Sequence, residues 1–301
     1  STSEEDIKRA FLSATAPTDM TPIQRRPLLR LNDGRFLVLD TAFLLDKTGP
    51  GVFWTMRDFL DRKEADRAFE FRGVLLEAYA HWFWKEDYQG SGRYTPNVHF
   101  GDGAEAFDAV LIEDGVLIVL EYKSGALPAP AKHSFDEAKL VEAIGQKYVR
   151  SEKGERKGVL QLQQNIIRFL KGEELNEIGL SRSDVHTIHP MIVAVDSSLT
   201  SPLVGNHLDL KLERGVIRKL NRRIALAPLQ LATFADLERL LPYTVSVSFT
   251  RMLETATKSK FQAGNFRQRA RRSIEKAQSG RDIVKERWMT LTDGMRQLFP
   301  A

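Results

Sequence analysis

The dipeptide Asp114-Gly115 constrains the fold of this chain more than any other local feature, because it separates two apolar runs. A two-residue turn of type I′ needs positive φ at both central positions, and Asp-Gly is one of the pairs that favour it. The pattern therefore predicts a β-hairpin over residues 107–123. With the dipeptide at the turn, Glu113 faces Val116 across the two strands.

The same register places two carboxylates opposite each other, since Asp108 then faces Glu121. Lys123 lies on the same strand face as Glu121, because side chains alternate with a period of two, while Tyr122 points to the other face. Facing acids repel each other and destabilise a sheet unless something compensates their charge. Carboxylate oxygens are hard ligands that suit Mg²⁺ or Mn²⁺, so the hairpin predicts a divalent cation at Asp108 and Glu121.

The composition excludes several classes of site. The chain has 301 residues, of which 42% are hydrophobic and 28% charged, as in a globular protein of one or two domains. It contains no cysteine, which excludes disulfides and thiolate zinc sites, and its six histidines form no His-Glu-x-x-His motif. No apolar run approaches the roughly 20 residues of a membrane span and no apolar signal peptide is visible, so we expect a soluble, cytoplasmic protein without a membrane partner.

Positive charge concentrates near the C-terminus. Residues 251–301 hold twelve Lys or Arg and five Asp or Glu, a balance of +7, whereas the whole chain carries +4. Clustered basic side chains attract the phosphates of nucleic acid, although a solvated helix face gives the same pattern. The residues predicted to bind nucleic acid are Arg267, Arg269, Arg271, Arg272 and Lys276.

Periodicity and turn residues divide the chain into three parts. Residues 1–63 are predicted to form a small N-terminal unit with a hairpin at 28–40 and a helix at 53–61, residues 64–245 the main domain, and residues 246–301 a basic helical extension. Within the main domain the patterns predict helices at 64–84, at 136–171 with a break at 154–158, and at 232–241, and strands at 94–100, 186–195 and 207–213 beside the central hairpin. This order indicates an α/β fold with a mixed sheet flanked by helices.

The triplet Glu121-Tyr122-Lys123 differs from the other acid-x-lysine triplets of the chain because it ends a run of five apolar residues. Such a run is typical of a strand covered on both faces. Together with Asp108, this triplet resembles the signature of the PD-(D/E)xK nuclease superfamily, which has the restriction-endonuclease-like fold. The resemblance covers roughly residues 64–196, and it implies a core of one helix, three strands, a helix and a strand, here with N-terminal and C-terminal additions.

The resemblance implies two further site residues. Many members of the superfamily carry a glutamate on the first helix, for which Glu77 is the candidate unless it is an ordinary surface residue. They also carry a glutamine on the helix after the lysine strand, where Gln161, Gln163 and Gln164 compete. Gln163 is preferred because it shares the apolar helix face, and Gln161 is the alternative if the helix phase differs. Phe107 stands at the position of the family's name-giving proline, which varies widely in the superfamily.

The resemblance as a whole implies a metal-dependent nuclease. Asp108, Glu121 and Glu77 would hold Mg²⁺ or Mn²⁺, Lys123 would stabilise the transition state, and Gln163 would complete the catalytic set. DNA is the implied substrate, in a defence or repair system, where homo-oligomers or partner proteins are compatible with the sequence. One alternative is a catalytically weak nuclease-like module that binds DNA or protein in a larger assembly. Another is a scaffold in which Glu121 and Lys123 form a plain salt bridge.

Overall fold

A computed structural model of the chain describes residues 26–41, 59–128, 136–196, 201–258 and 265–275, together with isolated residues outside these ranges. Within this described part, no helix has the length and the hydropathy needed to cross a membrane. Four of the nine residues of the predicted helix at 53–61 lie outside the described residues, and residues 59–61 are not helical.

The chain forms two compact units. One comprises Ser1–Arg72 and Leu127–Ile144, and the other comprises Gly73–Ala126 and Gly145–Ala301. These limits differ from the predicted ones, because the first unit includes a second segment and residues 246–301 belong to the second unit rather than to a separate extension.

Helices and strands follow one another along the described chain largely in the predicted order. The elements are, in chain order, β1 Leu28–Arg30, β2 Phe36–Val38, α1 Arg62–Asp87, β3 Arg93–His99, β4 Glu105–Glu113, β5 Val116–Lys123, α2 Glu137–Tyr148, α3 Gly158–Leu170, β6 Thr187–Ala194, α4 Pro202–Asp209, α5 Arg214–Leu220, β7 Ala225–Leu226, β8 Gln230–Thr233, α6 Phe234–Leu240, α7 Phe249–Lys258 and α8 Phe266–Ile274. Two short 3₁₀ helices cover Arg182–Asp184 and Leu241–Val245.

The first unit contains the hairpin predicted at 28–40. Strands β1 and β2 pair antiparallel, with Leu28 opposite Val38. At the turn, the Gly34 N–H donates a hydrogen bond to the Leu31 carbonyl at 3.0 Å. Gly34 has a φ of 84°, a conformation that glycine adopts without steric cost. This prediction is confirmed.

The second unit is built on a six-stranded mixed sheet in the order β3-β4-β5-β6-β7, with β8 also paired to β6. Strands β3, β4 and β5 form an antiparallel meander, and β5 pairs in parallel with β6. Strands β7 and β8 run parallel to β6 and pair with successive parts of it. The predicted α/β fold with a mixed sheet is confirmed.

Helices flank both faces of this sheet. One face packs on α1, α6, α7 and α8 in a core that includes Trp84, Leu120, Met191 and Phe249. Alternate strand residues such as Val119 are equally buried on the opposite face, where α3 contacts β4, β5 and β6. Coverage on both faces explains why β5 is a continuous apolar run rather than an alternating one.

The central hairpin has the predicted register. Its turn residues Asp114 and Gly115 have φ values of 50° and 74°, the positive values that a type I′ turn requires. The pairing starts with Glu113 opposite Val116 and continues without a shift as far as Ala109 opposite Leu120, one pair before Asp108 and Glu121. The turn at one end of the hairpin therefore determines which side chains meet toward the other end.

The strand predicted at 207–213 is wrong, because α4 extends to Asp209. Leu208 and Leu212 are buried whereas Leu210 is 82% exposed. A burial spacing of four residues suits helical packing, while a half-buried strand would bury all three leucines. The edge of the sheet is formed instead by β7 and β8, two short strands that the sequence pattern does not reveal.

Glu113 connects the C-terminal helices to the hairpin. Its buried carboxylate accepts hydrogen bonds from the N–H groups of Phe249 at 3.2 Å and Thr250 at 2.6 Å, at the start of α7. The Tyr88 hydroxyl donates a third hydrogen bond at 2.7 Å. A carboxylate at this position satisfies N–H groups that lack partners within the helix and interacts favourably with the helix dipole. This contact gives a physical reason why α7 belongs to the main unit.

We expect Glu113→Ala to lower the free energy of unfolding by about 2 kcal/mol, because two buried N–H groups and a hydroxyl lose their acceptor. Glu113→Gln keeps one acceptor oxygen and is expected to cost about 1 kcal/mol. Urea denaturation of both variants at pH 7 measures the difference. A loss below about 0.5 kcal/mol for the alanine variant, as at an ordinary surface position, would contradict the capping role.

Candidate active site

A cavity of about 270 Å³ lies at the end of the sheet where β5 ends. Its lining is rich in acids: four carboxylates surround it, and one lysine supplies the single ammonium group among the lining residues. The lining residues are Gly73, Leu76, Glu77, Glu105, Asp108, Glu121, Tyr122, Lys123, Ser124, Gln161 and Phe234.

The paired strands separate at Asp108, beside this cavity. The ladder between β4 and β5 ends at the pair Ala109 and Leu120. Beyond it, the Asp108 carboxylate accepts a hydrogen bond from the Tyr122 N–H. On the other side of β4, Asn97 has a φ of 48° between two regular pairs of β3 and β4. Asparagine tolerates this left-handed conformation better than most residues, and it marks a local irregularity of the ladder.

Glu121 and Lys123 form an ion pair at the end of β5. The Glu121 side chain is 1% exposed and that of Lys123 is 23% exposed. On the opposite strand face, the Tyr122 hydroxyl lies 3.2 Å from the Tyr94 hydroxyl, which in turn lies 2.6 Å from His81 Nδ1. This polar network anchors the strand end that carries the acid and the lysine.

Glu77 reaches the cavity from α1. One turn earlier, Gly73 passes close to β5, so that a Cβ added to it would lie 3.7 Å from the Ser124 hydroxyl. One turn later, Ala80 is fully buried. The two small residues allow α1 to approach the strand end closely, as their spacing along the helix predicts. Glu77 therefore lines the same cavity as the acids of the hairpin.

Glu105 is a cavity residue that the sequence pattern does not reveal. It is the first residue of β4 and lies three positions before Asp108. Strict alternation would place residues with that separation on opposite faces, but the register of β3 and β4 shifts at this point. The buried Asn165 of α3 donates a hydrogen bond to the Ala106 carbonyl, which fixes the start of the strand.

The structure places Gln161 at the cavity, whereas Gln163 lies elsewhere. Gln163 accepts a hydrogen bond from the Glu213 N–H at 2.8 Å, and Gln164 accepts one from Arg156. The buried residues of α3 form a face that has Gln161 along one edge and Gln163 along the other. The predicted preference for Gln163 is therefore corrected to Gln161, its alternative. The cavity lies along the helix edge that carries Gln161.

Burial and mutual repulsion raise the pKa values of the acids. The pKa of Asp108 rises to about 8, first because of burial and then because of Glu121. Burial also raises the pKa of Glu121, although attraction to Lys123 opposes it, and burial with repulsion from Glu105 raises the pKa of Glu77. Burial lowers the pKa of Lys123, but attraction to Glu121 outweighs this, so that the pKa is raised and the ammonium persists.

The donor set of the cavity suits a hard divalent cation, because carboxylate oxygens are the ligands that Mg²⁺ and Mn²⁺ prefer. Among the described residues, no group of three or more Asp, Glu or His side chains is arranged so that it could hold a metal ion without rearrangement. The four acids instead line the cavity together, and the pKa values of Asp108, Glu121 and Glu77 are raised. Such a concentration of negative charge is costly, and a bound cation relieves it.

The basic residues predicted to bind nucleic acid differ in exposure. Arg267, Arg271 and Arg272 are exposed on α8. Arg269 is partly covered, and burial lowers its pKa, because it lies at the packed side of the helix. Lys276 lies outside the described residues. Nucleic-acid binding by this helix stays a prediction for the three exposed arginines.

The cavity thus combines hairpin acids, a half-buried lysine, a helix glutamate and a helix glutamine, contributed by four elements of the second unit. Comparisons of the chain with protein-family models, with curated proteins and with solved structures found no match.

Proposed function

We propose that this protein is a metal-dependent nuclease of the PD-(D/E)xK superfamily that hydrolyses phosphodiester bonds in DNA. The observation that carries the proposal is the convergence of Asp108, Glu121 and Lys123 on one cavity at the end of a buried hairpin. These residues correspond to the acid and the acid-x-lysine of the family signature. Glu77 and Gln161 line the same cavity from the two helices on which the family carries its glutamate and glutamine.

The order of elements supports the same proposal. The chain follows α1, three strands β3 to β5, the helices α2 and α3, and then β6. This matches the helix, three strands, helix and strand of a restriction-endonuclease-like core, and β6 lies beside β5 in the sheet. We propose a cytoplasmic defence or repair system as the setting of the activity.

Five residues of the cavity have definite chemical roles in such a reaction. Asp108 and Glu121, with Glu77, would hold Mg²⁺ or Mn²⁺. When bound, the cation supplies a polarised phosphoryl oxygen and a water of lowered pKa. Lys123 stays protonated beside Glu121, so it acts as a hydrogen-bond donor that orients the attacking water and neutralises charge developing on the phosphate. Gln161 offers an amide that positions the phosphate or the water.

A cleavage panel tests this function. The purified chain is incubated with single-stranded, double-stranded and branched DNA in Mg²⁺, in Mn²⁺ and in EDTA. We expect cleavage of at least one substrate with either metal and none in EDTA, since two carboxylates without a cation repel the phosphate. DNA binding without cleavage in any metal would favour the catalytically weak module instead.

The two glutamines provide a matched pair of variants on one helix. We expect Gln161→Ala to slow cleavage about tenfold, the effect of one lost hydrogen bond of about 1.4 kcal/mol. Gln163→Ala, which removes a contact to Glu213 outside the cavity, should leave kcat within about twofold of the wild-type value. Single-turnover rates measure both. The reverse ranking would return the catalytic role to Gln163.

A further inference from the structure

A short hairpin of residues 149–157, which we call the basic hairpin, connects α2 to α3. It is closed by backbone hydrogen bonds from Lys157 to Val149 at 3.0 Å and from Ser151 to Glu155 at 2.8 Å. Gly154 donates to the Ser151 carbonyl at 2.8 Å and has a φ of 82°. These bonds define the path of the backbone at the base and at the tip of the hairpin.

The basic residues of this hairpin divide into two kinds. The two arginines brace the structure: Arg150 donates to the Gly154 carbonyl at 3.0 Å, and Arg156 donates to Gln164. The two lysines, Lys153 at the tip and Lys157 at the base, are exposed. Within the described part of the chain, neither lysine ammonium has a hydrogen-bond or ion-pair partner, so both are available to a ligand.

The basic hairpin is connected to the candidate active site at both of its ends. Before it, the Tyr148 hydroxyl donates to the Gly125 carbonyl at 3.4 Å, next to the cavity residue Ser124. The Lys147 ammonium also packs against Gly125, where a side-chain Cβ would collide with it. After it, the cavity residue Gln161 follows one helical turn from the end of the hairpin, about 6 Å along the axis. Both ends of the basic hairpin are therefore joined to segments that border the cavity.

Charge complementarity indicates what the lysines bind. The cavity carries four carboxylates and one ammonium, a surface that repels a polyanion unless positive charge stands nearby. Residues 149–157 carry four Lys or Arg and two Glu, a balance of +2, and the Glu155 carboxylate accepts a hydrogen bond from the Ser151 hydroxyl at 3.3 Å. A lysine ammonium is a strongly hydrated point charge that suits phosphate oxygens without reading sequence.

We propose that Lys153 and Lys157 of the basic hairpin bind backbone phosphates of double-stranded DNA beside the scissile bond. This inference rests on the proposed nuclease function, because it assigns the two lysines to binding the DNA that the cavity would cleave. It differs from the prediction for α8, whose arginines lie on another element. The contacts are independent of sequence, so they set affinity and position rather than specificity.

Equilibrium binding of the full chain to a short DNA duplex in EDTA tests the proposal over a range of KCl concentrations. Each phosphate contact contributes about 0.9 to the slope of log K against log salt. We expect Lys153→Ala with Lys157→Ala to reduce the slope by about 1.8 and to weaken binding about tenfold or more near 150 mM salt. In Mg²⁺ the same variant should raise KM and leave kcat nearly unchanged.

Arg218→Ala with Lys219→Ala is the matched control, since it removes the same charge from exposed positions on α5. That helix contacts β7, which pairs with the start of β6, whereas the cavity lies at the other end of the parallel strands. An unchanged slope in the lysine variant, an equal change in the control, or no binding of the wild type overturns the proposal. Tighter binding of duplex RNA overturns the choice of DNA. If binding depends on the lysines but no metal supports cleavage, the proposal for DNA binding by the basic hairpin holds and the proposed nuclease function fails.

Discussion

Asp108→Asn and Lys123→Ala are each expected to reduce metal-dependent DNA cleavage by about 10³-fold or more, while the protein stays folded. Asp108 supplies a carboxylate oxygen for the cation, and an amide is a weaker ligand for a hard ion. Lys123 supplies a preorganised positive charge in a largely buried site, where one such donor is worth a factor of about 10² to 10³. Initial rates of cleavage in Mg²⁺ and Mn²⁺ measure both effects.

The chain contains its own control for the lysine variant. Asp209-Leu210-Lys211 has the same acid-x-lysine spacing as the candidate site, but Lys211 is exposed after the end of α4. Lys211→Ala should therefore cleave at the wild-type rate. Cleavage by Asp108→Asn or Lys123→Ala within about tenfold of wild type, a difference of only 1.4 kcal/mol, would sink the catalytic assignment.

Asp108→Asn is also expected to stabilise the metal-free protein at alkaline pH. Burial and the neighbouring Glu121 raise the pKa of Asp108 to about 8 in the folded protein, whereas an aspartate in an unfolded chain has a pKa of about 3.9. The folded state thus binds more protons than the unfolded state between these values, so wild-type stability falls as the pH rises from about 4 to about 8. Asparagine does not ionise, so its advantage should grow steadily over this range and level off above about pH 8.

Urea denaturation in EDTA between pH 4 and pH 9 measures this difference. Added Mn²⁺ should narrow the difference between the two proteins at pH 8.5, because a cation at a hundred times its Kd stabilises the wild type by about 2.7 kcal/mol. The asparagine variant should gain far less. Equal stability of the two proteins at every pH would show that ionisation of Asp108 does not destabilise the folded protein. That result is incompatible with a site in which several carboxylates lie close together.

The hairpin could be predicted in detail because its information is local. Asp114-Gly115 fixes the turn, the turn fixes the register, and the register sets which residues share a face. The pairing of β4 and β5 ends at Ala109 and Leu120, and beyond that pair the turn no longer predicts the contacts between the strands. Asp108 accepts a hydrogen bond from the Tyr122 N–H beyond the last regular pair, and no turn rule anticipates that separation of the strands.

The remaining cavity residues depend on contacts between distant segments. Glu105 joins the acids through a register shift in the neighbouring strand, which no count along β4 reveals. Gln161 and Gln163 flank one buried helix face, so periodicity gives the face but does not choose the edge that meets the cavity. That choice is made by the way α3 packs on the sheet, to which Asn165 contributes through the Ala106 carbonyl.

Two other differences have the same origin. The leucines at 208, 210 and 212 alternate as in a strand, yet the chain is helical before them and buries only the first and the third. Arg269 belongs to a basic cluster in sequence, but α8 turns it toward the packed side. In both segments tertiary packing overrides a pattern that is too short to determine the structure alone.

Anomalous diffraction from crystals of the wild-type protein soaked in Mn²⁺ is the most direct test of a metal site in this cavity. A nuclease centre requires an anomalous peak between the carboxylates of Asp108 and Glu121, and the peak should vanish in crystals of Asp108→Asn. No peak in the wild-type cavity at a Mn²⁺ concentration that supports cleavage, or a peak that persists in the asparagine variant, would contradict the proposed centre.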